Sequence, residues 1–228
     1  MRIEPEISAV SIVLLGHFNP AIFQPAWLSI HGLVASADVE QPDIRLIHPE
    51  IANFSWHWAD LSIEKARFSI NTTVAPYIRV SDFVAKLFGE VLPHTPIEAM
   101  GINRTVHFAV ESEAQRNALG KLLAPQAPWG KLGEKLDADP PARGGMISLV
   151  MQQTNPSGRE AGYIRAKIEP SPRITENRGL FMEVNDHFGL SSPLTEGDGA
   201  RRIMGYLDEF DESIKNSESI VDQIMGLI

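Results

Sequence analysis

Cysteine is absent from the 228 residues of the chain. Disulfides, thiolate metal ligands, cysteine nucleophiles and iron–sulfur clusters are therefore excluded. Long apolar runs are lacking as well, since no stretch approaches the roughly 20 residues of a membrane-spanning helix. Two acidic residues and a proline precede the first short apolar run, residues 12–15, which is unlike a secretory signal. We therefore expect a cytoplasmic protein with no membrane partner.

Positively charged residues are fewer than negatively charged ones. Lys and Arg total 20 against 29 Asp and Glu, which gives a formal net charge of −9. An acidic surface repels phosphate backbones, so nucleic acid is a disfavoured partner. The apolar content of 43% is typical of a globular protein long enough to bury a core.

The motifs that mark nucleotide use or covalent catalysis are also missing. The sequence contains no glycine-rich phosphate loop, no dinucleotide fingerprint after a strand and no nucleophile-elbow pattern. We assign no catalytic residue and expect no cofactor. The sequence thus favours binding over catalysis.

Histidine is the remaining residue type that often holds a metal, and the chain has seven. They are scattered, and no two occur at the spacing that places metal ligands on one face of a helix or strand. We predict no bound metal. If the chain is instead an enzyme or a small-ligand binder, its site is expected between two halves of the molecule and to use His57, Arg104, His107 and Asp186.

Strand and helix patterns are mixed along the chain, which predicts an α+β fold. Asn19 and Pro20 mark the start of a helix that ends at Gly32, and apolar spacings of three and four predict helices over residues 79–92 and 112–123. Runs rich in β-branched and aromatic residues predict strands over residues 7–15, 43–48, 51–58, 61–70 and 97–110.

A stretch rich in proline and glycine, residues 124–145, divides the chain into two halves. Residues 1–123 form an N-terminal α+β half, and residues 146–228 form a C-terminal half of three strands and one long helix. Each half pairs an antiparallel sheet with a helix. A diverged duplication would produce this likeness, and so would a common way of packing a helix on a sheet.

The three C-terminal strands are expected over residues 146–153, 162–169 and 179–185. The connections are too short for a parallel crossover, so we predict an antiparallel meander. In the middle strand Ile164, Ala166 and Ile168 should face the core. The alternate positions should present a basic face to solvent or to a partner; they are Tyr163, Arg165 and Lys167.

The last helix is predicted to be long and amphipathic, running from residue 195 toward the end of the chain. Its apolar stripe begins with Ile203, Leu207, Phe210 and Ile214 and is interrupted by Ser217. The stripe can cover the chain's own sheet or form an interface with a partner. Covering the sheet is the favoured interpretation, because a sheet with one apolar face needs a cover.

Several segments of the sequence together resemble those of a known family. They are residues 10–28, 67–88, 101–108 and 185–188, followed by the long helix. The chain resembles an uncharacterised, sporadically distributed bacterial family of about this length with no established activity. Sporadic distribution is typical of mobile, defence or toxin–antitoxin loci.

The function expected from these observations is that of a non-catalytic protein-binding, regulatory or accessory component of a bacterial locus. Its partner would be another protein or a second copy of the chain. The first alternative is the enzyme or small-ligand binder described above. The second is a phage structural subunit, which would form defined high-order oligomers.

Overall fold

The structure of the protein, a computed structural model, describes residues 3–136, 144–156, 161–189 and 198–228. Within these residues the fold is one antiparallel sheet of nine strands with helices packed on one face. The strands are β1 (Ile7–Gly16), β2 (Asp43–His48), β3 (Ile51–Trp56), β4 (Ala59–Glu64), β5 (Arg67–Thr72), β6 (Ile97–Ala109), β7 (Leu149–Thr154), β8 (Ala161–Pro170) and β9 (Gly179–Gly189). The helices are α1 (Pro25–Ile30), α2 (Ile78–Lys86), α3 (Glu113–Leu123), α4 (Lys131–Leu136), α5 (Asp198–Leu207) and α6 (Phe210–Met225).

The first and sixth strands lie side by side in the middle of the sheet. From edge to edge the strand order is β2, β3, β4, β5, β1, β6, β9, β8, β7. β1 pairs with β5 on one side and with β6 on the other, and β6 also pairs with β9. The expected α+β class is therefore confirmed. The expectation of a separate sheet in each half was wrong, because β6 pairs with both β1 and β9 and joins all nine strands into one sheet.

Alternation along the strands separates a buried face from an open face. On β1, Val10, Ile12 and Leu14 are fully buried under the helices. One apolar cluster joins β1, β3, β4, β5 and the first half of β6 with α1, α2 and α5. A second joins the far end of β6 and strands β8 and β9 with α3 and α6. The opposite face of the sheet carries mostly polar side chains, as is common for antiparallel sheets with one solvated side.

The run predicted as one strand over residues 61–70 is two strands joined by a turn at Lys65 and Ala66. The prediction was wrong because this turn contains no glycine, asparagine or proline to mark it. A change of phase was the available signal, since the buried positions are odd-numbered before the turn and even-numbered after it. These positions are Leu61, Ile63, Phe68 and Ile70.

The segment after β1 forms two short helices where one was predicted. Asn19 does act as a cap, because its side chain accepts a hydrogen bond of 3.2 Å from the Ala21 N–H at the start of a 3-10 turn, Pro20–Ile22. Pro25 then begins α1. A proline has no N–H to donate to the preceding turn, so the first piece ends before it.

Helix α2 follows the predicted pattern and continues into a π-helical turn, Leu87–Val91. Its apolar residues Val80, Phe83 and Val84 are buried against the sheet. Helix α3 begins where expected, since the Ser112 side chain accepts a hydrogen bond of 3.2 Å from the Gln115 N–H.

The C-terminal strands confirm the predicted meander. β7 pairs antiparallel with β8, and β8 pairs antiparallel with β9. Ile168 is buried in the second apolar cluster, and Ile164 and Ala166 pack against it. The alternate side chains of β8 lie on the open face.

The last predicted helix is divided in two. Helix α5 ends at Leu207, and α6 begins at Phe210. The predicted start at residues 195–197 lies outside the described residues. Ser217, which interrupts the apolar stripe, is buried, and its hydroxyl donates to the Ser213 carbonyl at 2.8 Å within α6. No helix in the described part of the chain is long and apolar enough to cross a membrane.

Candidate functional site

One row of side chains on the open face is polar at every strand. The register of the eight strand pairs places these nine residues next to one another across the whole sheet. In order from the β2 edge to the β7 edge they are Asp43, Ser55, Asp60, Asn71, Ser11, Asn103, Asn185, Arg165 and Gln152. We call this set the polar row.

The centre of the open face contains a depression beside the polar row. The neighbouring row of side chains crosses β1, β6, β9 and β8. Its residues, in that order, are Val13, Gly101, His187 and Tyr163. Gly101 has no side chain, so the row has a gap at β6. The depression of about 320 Å³ is bounded by β1, β6, β9 and β8 and includes Arg67 and Glu183 in its lining.

Two amide side chains lean toward this gap. A Cβ added at Gly101 would lie 3.2 Å from Asn185 Oδ1 and 3.8 Å from Asn103 Nδ2. Asn185 Oδ1 is buried from solvent and accepts no hydrogen bond from the residues that the structure describes. Leaving a buried acceptor without a donor costs about 1–3 kcal/mol, so this oxygen favours a donor brought by a bound molecule.

An aromatic column borders the gap on the β9 side. The rings of Tyr163 and His187 stack with centroids 4.5 Å apart and an interplanar angle of 14°. The Arg165 guanidinium lies 4.4 Å from the Tyr163 centroid. On the side of His187 away from Tyr163, the neighbouring position in the row is Gly101. A flat molecule in the gap would therefore extend the column.

His107, one of the predicted candidates, lies on the same face but outside the depression. Its Nδ1 is 2.7 Å from Ser171 Oγ, and its ring centroid is 4.9 Å from that of Phe181. Burial, with a smaller contribution from the nearby Arg173 charge, holds the pKa of His107 below its ordinary value. Burial therefore favours the neutral form of this imidazole.

Arg104 and Asp186, two further candidates, share the opposite, helix-covered face. Arg104 is 5% exposed; its Nη1 donates to the Ala9 carbonyl at 3.1 Å, and its Nε is 3.6 Å from a Glu218 carboxylate oxygen. The Tyr77 ring centroid lies 5.2 Å from the guanidinium. Asp186 is 2% exposed on the adjacent strand.

His57 lies in the exposed turn between β3 and β4, far from the other three candidates. The four residues proposed from the sequence as one site thus occupy three different places. The structure brings Arg104 and Asp186 to one buried face and leaves His107 and His57 apart from them.

The apolar stripe of the last two helices lies inside the molecule. Ile203, Leu207 and Phe210 belong to the larger apolar cluster, and Ile214 packs against it while partly buried. These side chains contact the chain's own sheet and helices.

The described residues contain no group of three or more histidine or carboxylate side chains that could hold a metal ion. Prediction from the sequence missed the depression, because Gly101, Asn103 and Asn185 carry no motif. The available signal was partial: small or polar residues at 101, 103, 105 and 107 alternate with Ile102, Val106 and Phe108, and Glu183, Asn185 and His187 alternate with Met182, Val184 and Phe188, but Arg104 and Asp186 interrupt the pattern. Only the pairing of β6 with β9 places the two asparagines side by side.

No family model matches the chain, and no curated protein matches its sequence.

Proposed function

We propose that this protein works by binding, and that it takes a small, flat, polar molecule in the depression at Gly101. The observation that carries this proposal is the unpartnered Asn185 Oδ1 beside the position where a side chain is missing. The depression lies where β1 and β6 join the N-terminal and C-terminal parts of the chain. A ligand there would contact both parts.

The chemistry of the lining indicates the class of ligand. Asn185 offers an acceptor, Asn103 offers a donor, and His187 offers an aromatic ring for stacking. A planar heterocycle or aromatic carboxamide with a neighbouring donor and acceptor matches all three groups. Arg67 and Glu183 carry opposite charges, which favours a neutral molecule over an anion or a cation.

The geometry of the pair formed by Ser171 and His107 supports binding over catalysis. Ser171 and His107 have the separation of a nucleophile and its base. Both side chains are buried, and the Ser171 hydroxyl also accepts a hydrogen bond of 3.1 Å from the Arg173 N–H. A substrate would have no access to this pair, so its role is to hold the loop after β8 over the sheet.

Titration of the purified protein with nicotinamide and with uracil tests the proposal by calorimetry or ligand-observed NMR. We expect saturable binding of at least one of them, abolished by Asn185→Leu and by Gly101→Val. Asn71→Leu is the matched control, because Asn71 belongs to the polar row but lies outside the depression; it should leave binding unchanged. Binding that survives Asn185→Leu, or no binding of either molecule, would contradict the proposal.

A protein partner, acting with this chain in a bacterial locus, remains our second candidate function. The exposed edge of β7, described below, favours it. Co-purification with the product of an adjacent gene would support an accessory role in the cytoplasm. Defined high-order oligomers would instead support a phage structural subunit.

We also propose that the chain is a diverged duplication. β1 is followed by a meander whose last strand, β5, pairs with β1, and β6 is followed by a meander whose last strand, β9, pairs with β6. β1 and β6 pair antiparallel, as a two-fold relation between repeats requires. Superposing β1, β3–β5 and α2 on β6, β7–β9 and α5 tests this, and failure of the helices to coincide would refute it.

A further inference from the structure

Strand β7 ends the sheet with an unpaired edge. Within the described residues no strand pairs with its outer side. The Asn155 N–H donates to the Gly162 carbonyl at 2.9 Å, so the odd-numbered residues of β7 bond to β8. Because antiparallel ladders alternate, the N–H and C=O groups of Val150, Gln152 and Thr154 point outward.

Apolar side chains accompany these open backbone groups. Ile147 is 83% exposed, Met151 66% and Val150 49%. Residues 146–156 carry no charge. An uncharged, hydrophobic and exposed edge strand is a ready template for pairing with another strand.

The opposite edge of the sheet is protected against such pairing. β2 also exposes apolar residues, but it carries Asp43, Arg45 and His48. A bulge interrupts its register at Arg45, and Pro42 and Pro49 stand at its ends. Charges, bulges and prolines all oppose the addition of a further strand. β7 has none of these features between its first and last residue.

We propose that β7 pairs antiparallel with β7 of a second copy of this chain, across a two-fold axis at Met151. In this register Met151 faces itself as a non-hydrogen-bonded pair, on the helix-covered side of the sheet. Val150 faces Gln152 of the second copy, and Ser148 faces Thr154. The outward groups of Val150 and Gln152 then bond to each other, and the two sheets become one.

The chemistry of the strand favours a second copy over an unrelated partner. Like charges placed opposite each other destabilise a strand pair, and a chain with a net charge of −9 would repel its copy at most surfaces. At β7 this repulsion is absent. The strand also lacks the charges that would select a different chain, and a two-fold axis matches every outward donor to an acceptor.

The absence of cysteine allows a direct test by cross-linking. Met151→Cys places one thiol per chain at the axis, where paired Cα atoms lie about 4.5 Å apart, inside the range of about 4.4–6.8 Å that a disulfide requires. Mild oxidation should convert this variant to a covalent dimer. Gln153→Cys is the matched control on the same face, since its two copies would lie roughly 13 Å apart along the strands and should not cross-link.

Sedimentation velocity over a series of concentrations provides the second measurement. The natural protein should sediment at twice the mass of the chain, and Met151→Lys should reduce this to a single chain, because two ammonium groups would meet at the axis. Three results would each overturn the proposal: a monomer at all concentrations, a dimer unaffected by Met151→Lys, or equal cross-linking of the two cysteine variants. A chain that stays monomeric and pairs with a strand of another protein would also overturn the proposal, because it is a case of the first result.

Discussion

Replacing Phe210 with alanine separates the two interpretations of the apolar stripe on the last helices. Phe210 begins α6 and is 1% exposed within the larger apolar cluster. Its neighbour in that cluster, Leu207, ends α5. The ring therefore lies where the two helices meet the sheet. Its removal should leave a cavity that the surrounding strands cannot close.

The expected cost is large. Removing a buried phenylalanine side chain lowers the free energy of unfolding by about 3–5 kcal/mol. A domain's total stability is about 5–15 kcal/mol, so this is a substantial fraction. At about 2–4 °C for each kcal/mol in a chain of this size, the melting temperature should fall by roughly 6–20 °C.

Thermal and urea unfolding at two protein concentrations, alongside sedimentation, measure the effect. The difference in stability between Phe210→Ala and the natural protein should be the same at both concentrations. Ile30→Ala is the control, since Ile30 is 81% exposed and its truncation should change the melting temperature little. A loss below about 1 kcal/mol combined with lost self-association would refute the reasoning and identify the stripe as an interface.

Three further predictions concern other parts of the molecule. Burial lowers the pKa of His107 in the folded state, so protonation of this residue favours unfolding. The free energy of unfolding should be fully retained above pH 6.5 and should fall as the pH drops below it. The variant His107→Gln should flatten this part of the pH profile. Thr72→Val removes a hydroxyl that donates to the Trp58 carbonyl at 2.5 Å and accepts from the Val74 N–H at 3.0 Å, and should cost about 1–3 kcal/mol in urea unfolding. Elemental analysis of the untagged protein should find no stoichiometric zinc, iron or manganese, and one metal per chain that is lost on replacing two histidines would contradict this prediction.

Local patterns were sufficient for much of the secondary structure. Alternation placed Ile164, Ala166 and Ile168 on the core side of β8, and the spacing of Val80, Phe83 and Val84 placed α2 on the sheet. These inferences succeed because a side chain's direction follows from its position in a strand or helix. They fail where a turn lacks its usual residues, as between β4 and β5.

The candidate site could not be predicted in the same way. Backbone hydrogen bonds between strands do not depend on side-chain identity, so the sequence does not state which strands pair. The packing of buried faces under the helices decides that β6 lies between β1 and β9. That choice places Asn103 beside Asn185 and leaves Gly101 as the gap between Val13 and His187.

The sequence by itself therefore determined the α+β class, the core side of β8 and the absence of cysteine chemistry, because these follow from composition and from short-range periodicity. The tertiary structure alone decided the strand order, the row of nine polar residues across the open face and the difference between its two edges. β2 and β7 both look like ordinary strands in the sequence. Both strands lie at the edges of the sheet, where backbone groups are open to pairing. There the charges and the bulge of β2 oppose the addition of a further strand, whereas the uncharged β7 can pair with one.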